Sequence, residues 1–428
     1  RKNKSNLLSR VLEADFKTSI FDVLNEWVKE HNTIGRGDVS NLVQYFKNRR
    51  NFKSAVQVRE WAESHDIQMN NADRAVHLHL LFRTKGLPDA EEYFKNLEES
   101  EKTDKTYGAL LYCYCKELKH DMAVETFEKM KMQNMETALN YTYMMTLYSV
   151  LNQPEKVISM GQEMVQKNMD LNLYAYNLLI NSYGAMGDLD GIKRTVEEMK
   201  SKNVKFVSST CSTIAKVYLK SGLNTEASII LRDMEKMLKQ PGEEKGFTIF
   251  LSLAKFYTWM NDLSGVIRAW ESLKEKHPVP SNTCFYATLN ALVKLGDVEA
   301  LQKHFASWES SCVVYDVRLV NVMLEFYLDR DMIDEASKLH DKSIARGFQP
   351  NIRTINSLLK LCLSTGETDL ALQYLEMAEG KTDGGNKKHP YLSEEVIESL
   401  TSMFEDGNDP ERAAKFSQIM KKIKGSDS

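Results

Sequence analysis

Apolar positions along this chain follow two nested spacings. Within stretches of about a dozen residues they fall at i, i+3, i+4 and i+7, a pattern that predicts amphipathic helices. The stretches themselves restart roughly every 35 residues, a period that belongs to stacked structural repeats. Counting back six residues from the recurrent ring or bulky apolar side chain gives the reference positions Ser40, Val76, Gly108, Thr142, Asn177, Ser212, Leu251, Tyr286, Asn321, Asn356 and Ile397. Six residues past them stand Phe46, Phe82, Tyr114, Tyr148, Tyr183, Tyr218, Tyr257 and Tyr327. Fifteen past come the small residues Ala55, Ala123, Ala227, Ala336 and Ala371, which let a second helix approach the first closely. Twenty-two past are Met130, Met164, Met199 and Met234, adaptable apolar plugs on that second helix.

Punctuation completes the unit. Gly187-Asp188, Gly222, Gly296-Asp297 and Gly366 separate first from second helices, and Pro88, Pro154 and Pro410 suit the first turns of second helices. The expected fold class is therefore all-α, a right-handed solenoid of about eleven helix-turn-helix repeats, in which each unit buries its apolar face only by stacking on its neighbours. The expected divisions are a lead at 1–34 with a capping amphipathic helix near residues 18 to 30, divergent repeats at 35–103, well-formed repeats at 104–378, a loop at 379–392, and a divergent repeat with a tail at 393–428. The stretch Gln240-Pro241-Gly242-Glu243-Glu244-Lys245-Gly246 carries no apolar periodicity and is expected as an extruded loop.

Tyr176-Asn177-Leu178-Leu179-Ile180, Asn321-Val322-Met323-Leu324 with Tyr327, and Gly347-Phe348-Gln349-Pro350-Asn351 before Asn356-Ser357-Leu358-Leu359 resemble the pentatricopeptide repeat. The plain period of roughly 35 is similar to its P-type subclass, and the related tetratricopeptide repeat fits less well because its glycine near the middle of the first helix is missing. The opening, with Phe21, Leu24, Trp27 and Val28 on one face and then Arg49-Arg50-Asn51-Phe52, resembles plant mitochondrial members.

Composition narrows the function. With 27% charged and 42% apolar residues and no long apolar run, a membrane span is not expected. Six cysteines without CxxC spacing predict buried, reduced thiols. The chain opens at Arg1, as expected where a targeting segment has been removed. No catalytic constellation, metal site or cofactor motif is legible: His77 and His79 diverge on a helix, and Asp188-Leu189-Asp190 reads as a helix cap. The five tryptophans are expected in the core. No enzyme activity and no small-molecule substrate are expected.

The resemblance implies that each unit reads one unstacked base of single-stranded RNA with its reference residue and the residue five before the next reference. Asn321 with Asn351, and Thr142 with Asn172, fit that chemistry, and Asn177 and Asn356 are further candidates. Asn177 is partnered by Val207, Tyr286 by Asp316, Leu251 by Ser281 and Gly108 by Thr137, so no contiguous code is expected. Asn172 and Asn351 equally suit helix caps. Arg318 and Arg353, three before an Asn, replace the aliphatic residue the resemblance implies and are candidates for stacking on a base while neutralising phosphate. Lys116, Lys220 and Lys294 recur eight past their references, where the resemblance implies a phosphate contact. Lys47, Arg49 and Arg50 form a basic start that is either a solvated helix end or an RNA contact.

The first 60 residues hold 12 basic against 7 acidic side chains, and the remainder 44 against 53. So acidic a balance argues against an avid, extended grip on RNA. The expectation is an organellar RNA-binding protein of mitochondrial gene expression, a ribosome-associated component contacting ribosomal RNA and ribosomal proteins. The alternatives are a free, transcript-specific processing or stability factor, a pure protein scaffold, and a chloroplast location.

Overall fold

The computed structural model describes residues 7–13, 19–30, 32–240, 246–312, 315–382, 392–407 and 409–425. The chain folds as two compact units, Arg1–Ser221 and Gly222–Ser428. Among the described residues both are built of helices, with no strand.

The first unit opens with α1 (Leu7–Glu13) and α2 (Ile20–Lys29). Hairpins follow: α3 (Arg36–Asn48) with α4 (Phe52–Ser64), α5 (Asn71–Thr84) with α6 (Leu87–Asn96), and α7 (Asp104–Lys116) with α8 (His120–Met132). Next come α9 (Ala138–Val150) with α10 (Pro154–Gln166), α11 (Leu173–Met186) with α12 (Leu189–Ser201), and α13 (Ser208–Lys220). The second unit holds α14 (Asn224–Lys239), α15 (Gly246–Trp259) with α16 (Leu263–Lys276), and α17 (Asn282–Leu295) with α18 (Val298–Ser311). It ends with α19 (Val317–Leu328) and α20 (Ile333–Ala345), α21 (Ile352–Thr365) and α22 (Thr368–Thr382), and α23 (Glu394–Glu405) and α24 (Pro410–Gly425). From α5 onward, the first helix of one hairpin packs on the first helix of the next within its unit, as α5 on α7, α11 on α13, and α19 on α21.

Local chemistry explains the turns. First helices end where the backbone must enter the left-handed region: Gly187 and Gly296 do so at φ 70° and 77°, at no Cβ cost. The following Asp188 and Asp297 cap α12 and α18, accepting the N–H of Gly191 at 2.7 Å and Ala300 at 3.0 Å. Where glycine is missing, another residue takes the left-handed position: Asn152 and Asn261 do, as do Arg50, Leu118 and Asp331.

Packing follows the offsets in the sequence. Ala55, Ala123, Ala227, Ala336 and Ala371 are fully buried, as are Met130, Met164, Met199 and Met234. A tyrosine one before the reference position staples two hairpins internally: the Tyr141 hydroxyl donates to Glu163 at 2.6 Å and that of Tyr176 to Glu198 at 3.0 Å. The expected amphipathic helix is α2, whose Leu24 enters the core beside Trp61 of α4. Ahead of it lies α1, which the sequence reading did not anticipate and whose Leu7 joins the same core.

Several expectations need correction. Trp61, Trp270 and Trp308 are core residues, but Trp259 is 46% exposed at the end of α15. Two reference positions move by one residue. In α5 the buried residues are Asp73, His77, Leu78, Leu80 and Leu81, so Leu81 rather than Phe82 fills the core position and the reference is Ala75, not Val76. In α23 Val396, Leu400 and Phe404 are buried, which makes Glu398 the reference in place of Ile397. The helix α22 runs to Thr382, past Glu379 where a loop was expected, and residues 383–391 lie outside the described residues. Of the expected loop at 240–246, residues 241–245 also lie outside them, and Gly246 already begins α15.

Candidate nucleic-acid interface

With the register corrected, the reference residue is the fifth of its first helix and the residue five before it stands at the N-cap, except in α15, which begins at Gly246 and carries Leu251 sixth. Within each unit, the stacking of first helices sets Ser40, Asn177, Asn321 and Asn356 beside the amino-terminal turn of the next first helix. Asn321 in α19 donates its amide to the Asn351 side-chain oxygen at 3.4 Å. Asn177 donates to the Thr210 hydroxyl at 3.4 Å, and the Ser40 hydroxyl to Asp73 at 3.2 Å. Asn356 accepts the backbone N–H of Ser393 at 2.9 Å, so the shift in α23 gives it a polar partner where the unshifted register placed Leu392. A Cβ on Gly108 would stand 2.9 Å from the Asn140 amide nitrogen, so a larger side chain there requires the Asn140 amide to shift.

The two candidate pairs differ. Asn321 and Asn351 are in contact, whereas no hydrogen bond joins Thr142 to Asn172 among the described residues. The Thr142 hydroxyl donates back to the Ala138 carbonyl at 2.9 Å, and Asn172 caps α11 by accepting the Ala175 N–H at 2.8 Å. Asn351 is likewise a cap, accepting the Thr354 N–H at 2.9 Å. The cap and the candidate base-reading position are thus the same residue: the carboxamide oxygen holds the helix, and the amide hydrogens make no hydrogen bond among the described residues. Asn177 and Asn321 each bury a side-chain oxygen with no hydrogen-bond partner, an acceptor that a base N–H would satisfy.

The charged candidates fall into two groups. Arg318 is held by Asp316, with contacts of 3.1 and 2.8 Å, and lies 5.6 Å from the centre of the Tyr286 ring. The Arg318 hydrogen bond is the main reason the Asp316 carboxyl sits below its ordinary range, so this pair is charged on both sides. Arg353 forms a two-pronged pair with Glu325, both contacts at 2.6 Å. Any phosphate reaching these guanidiniums must displace a carboxylate. Lys116, Lys220 and Lys294 end α7, α13 and α17 and are exposed. At the end of α3, Arg49 lies 4.8 Å over Tyr45 and Arg50 occupies the left-handed turn position at φ 57°. Lys47 beside them is half-buried.

The histidines serve packing. His77 is buried against Tyr93, with ring centres 4.8 Å apart, and burial, then Arg59 and Lys85, push its pKa down to about 4. His79 turns toward Tyr112 in α7. Trp259 was missed as a surface feature. It lies eight past Leu251, in the register of Lys116 and Lys294, and the Lys255 ammonium stands 4.8 Å from its ring centre. That register was the available signal.

Comparison with known proteins supplies the family. A family model for the pentatricopeptide repeat domain matches residues 159–220 and 338–381, and one for the PPR repeat matches 105–135 and 140–169. A mitochondrial pentatricopeptide repeat-containing protein of Arabidopsis thaliana is 32% identical over 96% of this chain and 76% of its own length. The large ribosomal subunit protein mL101 (rPPR4) of the same plant is 31% identical over 93% of this chain and 80% of its own. Among solved structures, maize PPR10 in complex with an 18-nt psaJ RNA element is 16% identical, with a TM-score of 0.42 over 95% of this chain and 71% of that one. Identity of this order, sustained along nearly the whole chain and most of each Arabidopsis relative, shows that the chain belongs to the pentatricopeptide repeat family.

Proposed function

We propose that this protein binds RNA in plant mitochondria and acts in translation as a ribosome-associated component, touching ribosomal RNA and ribosomal proteins. The observation that carries the reading is its likeness to a large ribosomal subunit protein along 80% of that relative. The candidate site supports it. A free factor must obtain sequence specificity from a run of adjacent base-reading units, whereas polar pairs here alternate with Val207, Leu251 and Asp316. A solenoid seated on a ribosome spreads small contacts over RNA backbone and protein, so it tolerates broken pairs and an acidic remainder. The basic start, with Lys47, Arg49 and Arg50, meets phosphate in this reading. We expect co-sedimentation with a mitochondrial ribosomal subunit that survives removal of messenger RNA and weakens at high salt. Migration as a free particle, or with one transcript, would reject it in favour of a processing or stability factor.

Base reading is tested separately. In this reading the exposed Asn351 amide hydrogens meet the base while buried Asn321 holds the Asn351 side chain in place. Replacing both with alanine is expected to weaken single-strand binding by about 1–3 kcal/mol, and by an amount that depends on the base offered. Adding Arg318→Ala and Arg353→Ala should change the salt dependence little, because both arginines are already paired with carboxylates. Unchanged RNA crosslinking in the fourfold variant would show that this part of the second unit holds no RNA.

A further inference from the structure

In the first unit, rings from neighbouring first helices meet. Tyr112, four past Gly108 in α7, has its ring centre 5.1 Å from His79 of α5, 5.2 Å from Tyr143 of α9 and 6.4 Å from Phe82. All four rings are half-buried, so each keeps part of its surface in solvent. His79 likewise lies four past Ala75, but the repeat does not require rings here: four past the remaining references of this unit stand Gln44, Thr146, Asn181 and Lys216. His79, Tyr112 and Phe82, four, four and seven past their references, share the stripe of the reference residues, and Tyr143, one past Thr142, meets Tyr112 from the adjoining side.

Unpaired cations frame the rings. The Lys116 ammonium is 5.6 Å from the Tyr112 ring centre, and Arg83 lies 5.0 Å over Phe52. Burial first, and then the charges of Lys47 and Arg83, hold the His79 pKa below its ordinary value, so the imidazole is a neutral ring at neutral pH. The ion pairs of this unit fall elsewhere, on Arg59, Arg74, Lys85, Lys131 and Lys167 among others. None joins Lys47, Arg83 or Lys116 among the described residues. Arg318 and Arg353 in the second unit, by contrast, are occupied by carboxylates.

We propose that this face of α3, α5, α7 and α9 is a stacking site for single-stranded RNA, with unpaired bases on the Tyr112, His79 and Tyr143 rings and phosphates on Lys47, Arg83 and Lys116. The proposal rests on the RNA-binding reading above and assigns the sequence-independent part of the grip to the first unit. Rings that keep part of their surface in solvent can take an unstacked base once the Lys116 ammonium moves to a phosphate, whereas an acidic peptide would need the cations alone. Stacking does not discriminate among bases, so the site holds a strand without reading it. It offers a grip that does not depend on the interrupted pairs.

The test uses the full chain with short oligo(U), oligo(A) and oligo(C). Tyr112→Leu, which keeps apolar bulk in a half-buried position, should lower affinity about tenfold for all three, given the usual worth of one stacked base. The triple variant Lys47→Gln, Arg83→Gln, Lys116→Gln changes no packed core residue and should flatten the log–log salt slope by about 2. Asn321→Ala with Asn351→Ala should instead give a loss that differs among the three oligomers. Wild-type binding by both first-unit variants, with loss only in the Asn double variant, would overturn the stacking site and leave RNA binding standing. No binding of any oligomer by the wild type would overturn RNA binding itself. Normal binding by Tyr112→Leu, together with displacement of the RNA by poly-glutamate of matched charge, would mark the face as one for acidic polymers and overturn the proposal.

Discussion

Asp73→Ala should destabilise the hairpins around α4 and α5 by about 3–5 kcal/mol, because it leaves a buried guanidinium without its counter-charge. Arg59 is only 2% exposed, and its Nη2 donates to Asp73 at 2.7 Å while its Nε and Nη1 have no partner. Asp73 also accepts the Ser40 hydroxyl at 3.2 Å and the Asn70 backbone N–H at 3.2 Å, so one carboxylate joins α3, α4 and the start of α5. Arg59→Met combined with Asp73→Leu should recover most of the loss, since it removes both charges together. The pair also sets an acid limit. Burial pushes the Asp73 pKa up, but the Arg59 hydrogen bond and charge, Asn70 and Ser40 together bring it below 3.8. A carboxyl lowered in the fold contributes stability above its unfolded pKa and loses it as pH falls through the folded value, so the contribution should erode below about pH 4. Stacked hairpins open locally, and hydrogen exchange in α4 and α5 is the fitting measurement. Wild-type protection in Asp73→Ala would mean the guanidinium finds water or another partner.

Trp308→Ala should cost the second unit about 3–5 kcal/mol, the range for deleting a large buried aromatic side chain. Its side chain is 1% exposed, ring centres of Phe305 and Tyr315 lie 5.3 and 5.4 Å away, and its indole N–H donates to Asn282 at 2.9 Å. That hydrogen bond ties α18 to the first turn of α17. Trp308→Phe keeps most of the ring and should lose about 1 kcal/mol, the usual net worth of one hydrogen bond. Trp259→Ala is the internal comparison, because its exposed ring should cost within about 0.5 kcal/mol. Denaturant unfolding followed by circular dichroism at 222 nm, the helix band, ranks the three, and equal effects at Trp308 and Trp259 would contradict the burial described here.

Much of the fold was legible because the repeat restricts side chains at fixed offsets. A small residue where two helix backbones touch, a methionine two turns on and a ring six past the reference are each required by packing, and Ala123, Met130 and Tyr114 are all buried. Asn172 and Asn351 were legible both as caps, which they are, and as candidate base readers, since the two readings fall on one position. Register was ambiguous only where two bulky residues stood side by side, at Leu81-Phe82 and Met403-Phe404. Each residue turns about 100° around a helix, so the buried face, and not the identity of the larger residue, decides which of the two points inward.

The sequence by itself determined the all-α hairpin unit, its period, and the stripe of each first helix on which the candidate residues stand. Tertiary structure decided what those residues meet. Glu325 of α19 reaches Arg353 of α21 across 28 residues of chain and occupies a cation that looked free for phosphate. His79, Tyr112 and Tyr143 come from α5, α7 and α9 and form one run of rings only after those helices stack. The physical reason is that periodicity specifies an angle around one helix axis, whereas a contact also depends on the rotation and offset of the next helix, which packing settles.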